Sequence, residues 1–229
     1  MNVVLLHALP LDERMWEPQR EALEDDEVTT PNLYRLGRRV DEWAARVLGM
    51  VEGRFAAVGA SMGGYCALAL ARIAAERLAG LALVSSRAGA DSPERRVARD
   101  RMIRLVRERG VEALWDELRP NLLPEDAPTA TVEHAWGIAM LQEPDDLVVA
   151  LEAIRDRPDS TDVVRTFPAP LLVVAGDNDP LLPLTEARAT ADAAPHGRLA
   201  VVEGAGHLPS LERPEEFNAA LVAFLAELR

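Results

Sequence analysis

The sequence predicts an α/β domain: a mostly parallel sheet of about six strands with helices on both faces and a helical segment inserted midway. Three observations carry that expectation. Short apolar runs bounded by turn residues recur along the chain, helical patterns separate them, and the alternation stops between residues 86 and 160. The first run is residues 3–6, and a weaker one at 28–30 ends at Pro31. In the helix that follows, Val40, Trp43, Ala44, Val47, Leu48 and Val51 share one face, which suits a helix lying on a sheet. Residues 55–58 form the next strand, 64–73 the helix after it, and 81–84 the strand that closes the first half.

Residues 86–160 hold helical pieces and no strand pattern. One piece has Ser92 as its N-cap and Pro93 in its first turn and stops near Gly110; others centre on Trp115, Trp136 and Leu147. We expect these residues to form a helical cap inserted in a core made of residues 1–85 and 161–229. Strand patterns resume at 171–175 and 199–202. The last helix opens near Pro214 with Phe217, Leu221, Phe224, Leu225 and Leu228 on one stripe.

With 229 residues, 48% hydrophobic and 28% charged, the chain is long and apolar enough to fold as one domain around its own core. Its formal net charge of -13, from 38 acidic and 25 basic residues, repels nucleic acid and anionic lipid, so neither is expected as a partner. Every basic residue is arginine. Schiff-base and Ser-Lys chemistry are therefore excluded, since both need an amine that can lose its proton. Cys66 stands alone and cannot form an internal disulfide; it is expected as a small buried hydrophobe. The N-terminus has no basic leader pattern, and no apolar run approaches the ~20 residues of a membrane span. A cytoplasmic monomer or homodimer without metal or organic cofactor is the expectation.

Residues 59–63 read Gly-Ala-Ser-Met-Gly, a G-x-S-x-G between a strand and a helix. That context puts Ser61 on a sharp turn where only small neighbours fit and the hydroxyl projects above the sheet edge. A serine hydroxyl needs a base, and four histidines are available. His207 lies in the glycine-rich loop after the strand at 199–202, at the same end of the sheet as Ser61. His196 reads as a solvated turn residue, His134 as a packed helix residue, and His7 as a residue that holds its own loop by hydrogen bonding. An acid should orient the base, and both Asp177 and Asp179 follow the strand at 171–175. For a developing oxyanion, the Met62 N–H is one donor. Of the loop 7–10 only Ala8 and Leu9 remain as the second, since Pro10 has no N–H, and Leu9 is our choice.

At this point four segments, "LLHALP", "GASMGG", "VVAGDNDPLLP" and "GAGHLPSLERPEEFNAALVAFL", resemble the α/β-hydrolase superfamily, and most closely its compact esterase, enol-lactonase and C–C hydrolase branch. The resemblance implies an α/β-hydrolase fold lacking the two leading strands of larger relatives. It favours Asp179 over Asp177, through the pattern G-x-x-D-x-x-x-P formed by Gly176, Asp179 and Pro183. It implies a triad of Ser61, His207 and Asp179, with an oxyanion hole from the N–H groups of Leu9 and Met62. The expected reaction is cleavage of a small or medium ester through an acyl-enzyme. Ala8 departs from the family's usual His-Gly, which predicts a less open oxyanion loop. A lactonase or C–C hydrolase with the same triad is the competing enzyme reading, and a non-catalytic binding or signalling protein is the competing reading of another class. Met102, Trp115, Trp136, Met140 and Leu141 fit either a pocket lining or plain packing, and the arginine-rich "SPERRVARDR" is expected to be a solvated helix face.

Overall fold

The apolar runs pair into one sheet. In the computed structural model, which describes residues 1–229, β1 (Asn2–Leu6), β2 (Glu27–Thr29), β3 (Phe55–Ala60), β4 (Leu78–Val84), β5 (Leu171–Gly176) and β6 (Gly197–Val202) lie in the order β2-β1-β3-β4-β5-β6. Every pairing is parallel, so the sheet is wholly rather than mostly so. β3 is buried at all its positions, which is why it reads Phe-Ala-Ala-Val-Gly-Ala with no polar alternation. The edge strand β6 is mostly half-exposed, and β2 starts one residue before the apolar run that marks it.

The chain steps from β1 out to β2 and then back past β1 to β3. The strand order therefore reverses between β1 and β3, and ligands bind above the carboxyl ends at such a switch. Helices α1 (Glu17–Ala22), α2 (Val40–Leu48) and α3 (Met62–Ala74) cross this half. α2 buries Val40, Trp43, Ala44 and Val47, and the Trp43 indole N–H donates to the Gly37 carbonyl at 3.0 Å. Each such large apolar side chain stabilises the fold by roughly 1.5–3 kcal/mol.

Between β4 and β5 the chain makes α4 (Pro93–Leu122), α5 (Thr129–Ala139), α6 (Pro144–Arg155) and α7 (Thr161–Thr166), and no strand. Ser92 caps α4 by accepting the Arg95 N–H, and the helix breaks at Gly110, whose φ of 80° is left-handed. Ile103, Leu114, Trp115, Leu118 and Leu122 of α4 join the same apolar core as the sheet. Helices α8 (Leu184–Ala193), α9 (Pro209–Glu212) and α10 (Pro214–Ala226) complete the chain, with Phe217, Leu221, Phe224 and Leu225 of α10 buried. No helix is long and apolar enough to cross a membrane.

Candidate active site

Ser61 sits between β3 and α3 with φ 46° and ψ −107°, a backbone conformation that costs a non-glycine residue roughly 1–3 kcal/mol. The surroundings impose it. The Ser61 N–H donates to the Val84 carbonyl at 2.8 Å, and the Ser86 hydroxyl donates to the Ser61 carbonyl at 2.9 Å. A Cβ at Gly63 would collide with the Leu6 carbonyl, and one at Gly59 with the Gly63 backbone. The two glycines of the motif are thus the condition for β1, β3 and α3 to approach this closely.

Asp179, His207 and Ser61 form one hydrogen-bonded chain. Asp179 Oδ2 lies 2.8 Å from His207 Nδ1, and His207 Nε2 lies 2.9 Å from Ser61 Oγ. A carboxylate only accepts, so in the neutral ring Nδ1 carries the proton and Nε2 is free to accept from the serine hydroxyl. The other Asp179 oxygen accepts the N–H groups of Leu181 at 2.8 Å and Leu182 at 3.1 Å. Asp177 points elsewhere: its Oδ1 accepts the Gly204 N–H at 2.7 Å at the surface. Of the two aspartates, Asp179 is the one hydrogen-bonded to His207.

The His207 loop has a second anchor absent from the sequence-based candidates. Glu212 is buried and accepts the N–H of Gly206 at 2.7 Å and of Leu208 at 2.8 Å, one on each side of His207. Burial pushes its carboxyl above the usual range, and the two N–H donors partly offset that. The only local signal was a glutamate five residues past the histidine in a short helical turn. The His207 N–H itself donates to the Leu122 carbonyl at the end of α4, at 3.3 Å.

In the loop after β1, two backbone N–H groups differ in their partners. The Ala8 N–H is taken by Met15 Sδ at 3.2 Å, while the Leu9 N–H has no partner within the protein. Met62 opens α3, so its N–H is one of the orphan donors of a first helical turn. His7 is fully buried, and its Nε2 accepts the Leu33 N–H at 2.9 Å, which requires a neutral ring; burial lowers its pKa to about 4. It holds the loop and does not reach the cavity. Asp12 continues this scaffold. Burial alone would raise its carboxyl, but hydrogen bonds from Arg14 and from Gln142, at 2.7 Å across from the inserted segment, bring it below the usual range.

Leu9, Ser61, Met62 and His207 open together onto a cavity of about 220 Å³. That is smaller than the ~300–1,000 Å³ of drug-sized ligand sites, and it suits a small molecule. Its far wall comes from α4 and includes Met102, Leu118 and Leu122. It also includes Arg95 and Arg99, so "SPERRVARDR" is not simply a solvated face; the residues 95, 98, 99 and 102 share the helix side that turns inward. Trp115 is packed in the core, and Trp136 and Leu141 are exposed, so among the apolar candidates only Met102 lines the cavity. His134 is exposed rather than packed, and His196 is exposed as expected. Burial raises the Cys66 thiol far above its usual range, which leaves it inert. No group of three or more His, Cys, Asp or Glu side chains stands together as metal ligands would.

A model of the alpha/beta hydrolase family matches residues 3–220. The chain belongs to that family. A structure of a thermophilic esterase from Thermogutta terrifontis, solved with malate bound, superposes on the hydrolase with a TM-score of 0.93 and 33% identity, over 100% of this chain and 90% of that one. The enol-lactonase from Burkholderia xenovorans LB400 superposes with a TM-score of 0.80 and 25% identity, over 98% of this chain and 91% of that one. A protein of Enterobacter cloacae subsp. cloacae named "Putative carbamate hydrolase RutD" is 28% identical over 246 residues, 99% of this chain and 91% of its own length. The names of these relatives agree on hydrolysis and differ in the substrate class.

Proposed function

We propose that the hydrolase cleaves small carboxylic esters through an acyl-enzyme on Ser61. The observation that carries this reading is the hydrogen-bonded chain from Asp179 through His207 to Ser61, opening onto an apolar cavity. In the first step Ser61 Oγ bonds to the ester carbonyl carbon while His207 Nε2 takes the hydroxyl proton. The oxyanion accepts from the N–H groups of Leu9 and Met62, donors fixed before the reaction and therefore effective without reorganisation. The carbon–oxygen bond to the alcohol then breaks, and His207 returns the proton to the departing oxygen. Water enters, His207 removes its proton, and the acid leaves with Ser61 restored. Asp179 stabilises the imidazolium formed in each half. The inserted helices act as a cap that closes the acyl pocket from above.

A carbamate is the second reading, on the strength of the whole-length relative's name. The same chain of residues would attack its carbonyl and expel the alcohol, and water would then release a carbamic acid that breaks down to carbon dioxide and an amine. The test is a panel of 4-nitrophenyl esters from acetate to octanoate, with a matching carbamate, run on the wild type and on Ser61→Ala. Ester turnover that falls at least about a thousandfold in the variant supports the proposal. Carbamate turnover without ester turnover would replace it, and no turnover of either would move the protein to a binding role.

A further inference from the structure

We propose that the cavity recognises a carboxylate on the substrate, held by Arg95 with Arg99 beside it, so that the preferred esters carry an acid group away from the scissile bond. This rests on the ester-cleaving reading of Ser61 and adds the substrate class. In a chain of net charge -13, the cavity wall holds the guanidiniums of Arg87, Arg95 and Arg99 and no carboxylate at all.

The arginines differ in what already satisfies them. Arg87 donates to the Leu181 carbonyl and lies 3.5 Å from Glu186. Arg99 is 3.2 Å from Asp91, but that buried carboxylate is shared with Arg157 at 2.8 Å, so one negative charge serves two positive ones. The guanidinium of Arg95 has neither an ion-pair partner nor a hydrogen bond to the protein, although the side chain is half-buried on the inward face of α4. The Ser85 hydroxyl, at the carboxyl end of β4 beside Ser61, lines the same cavity and is also buried without a partner. The Arg95 guanidinium, a fork of donors left unsatisfied on the α4 wall, matches a planar carboxylate with several acceptor sites. Met102, Leu118 and Leu122 on that wall suit the short hydrocarbon link such an ester would have.

The experiment pairs each charged ester with a neutral one of the same shape. 4-Nitrophenyl hemiglutarate is compared with 4-nitrophenyl 5-methylhexanoate, which places the charge on the acyl side. Carboxymethyl butyrate is compared with isobutyl butyrate, which places it on the alcohol side. In at least one pair, kcat/KM for the charged member should exceed the neutral one by about tenfold or more, and Arg95→Gln should bring that ratio close to one. In parallel, glutarate is titrated calorimetrically into Ser61→Ala with and without Arg95→Gln. Glutarate should bind about tenfold more tightly with Arg95 in place than without it. Neutral esters turned over equally well or better, with no Arg95-dependent binding of glutarate, would overturn the carboxylate site and leave the esterase reading standing. Arg95-dependent glutarate binding without cleavage of any ester would do the reverse.

Discussion

The floor of the cavity comes from the carboxyl ends of β1, β3, β4, β5 and β6, and its far wall from α4, and the two treat their polar groups differently. On the floor, the hydrogen-bonded groups are closed among themselves, with Asp179 and His207 buried and Ser61 half-buried: Asp179 serves His207 and two backbone N–H groups, and His207 serves Ser61. On the wall, Arg95 is open and Arg99 shares one carboxylate with Arg157. A closed network in a low-dielectric interior holds one geometry, and removing a member leaves its neighbour unsatisfied. An open wall can change residues at lower cost. Under the proposed reaction, that separates a fixed chemistry from an adjustable specificity.

Breaking the floor should have the largest effect. Asp179→Asn should lower kcat by about 10³–10⁴, because an amide favours the wrong imidazole tautomer, while Asp177→Asn should leave kcat near wild type. Steady-state kinetics on one ester distinguishes the two, and the opposite ranking would transfer the orienting role to Asp177.

The buried His7 gives the next effect, on stability. Its pKa lies near 4 in the folded protein against 6.5 ordinarily, so the unfolded chain takes up the proton first as pH falls. Its contribution is complete above about pH 6.5 and disappears as pH drops through 4, a loss of roughly 3 kcal/mol. Urea unfolding of wild type and His7→Gln at pH 7 and pH 4 should show the gap between them narrowing by that amount. A gap independent of pH would mean that His7 is not held neutral.

Smaller again is the loop anchor. Glu212→Gln retains one acceptor oxygen and loses the other, so one N–H beside His207 is left unpaired at a cost of about 1–3 kcal/mol. Its unfolding free energy should drop by that much, and kcat should fall with KM little changed. The wall should respond least. Met102→Ala enlarges the cavity without touching the hydrogen-bonded chain, and the kcat/KM ratio of octanoate to butyrate should rise by about tenfold. A collapse of activity on all esters would show that wall and floor are coupled.

The same division decided what could be read from the residues. Ser61 and His207 were legible because a strained turn and a glycine-rich loop leave local marks, and Gly110 marked its helix break for a similar reason. The residues alone left Asp177 and Asp179 open, since both follow one strand; the family pattern favoured Asp179, and the loop's path sends that one toward His207. Arg95 and Arg99 were read as solvated because α4 carries arginines on several faces, and spacing alone tells which residues share a side but not which side faces the cavity. Trp136 and Leu141 gave the opposite difficulty, being apolar and yet exposed. Glu212 was missed because a carboxylate that caps two backbone N–H groups looks in sequence like any surface glutamate.

The central claim is that Ser61 is the nucleophile, and the most direct measurement is covalent. The protein is treated with a dialkyl 4-nitrophenyl phosphate, which traps an activated serine as a stable phosphoester, and the adduct is located by peptide mass spectrometry. One label per chain on Ser61, lost in His207→Ala, is the predicted result. A label on another residue, such as the nearby Ser85, or labelling of Ser61 that does not depend on His207, would contradict it.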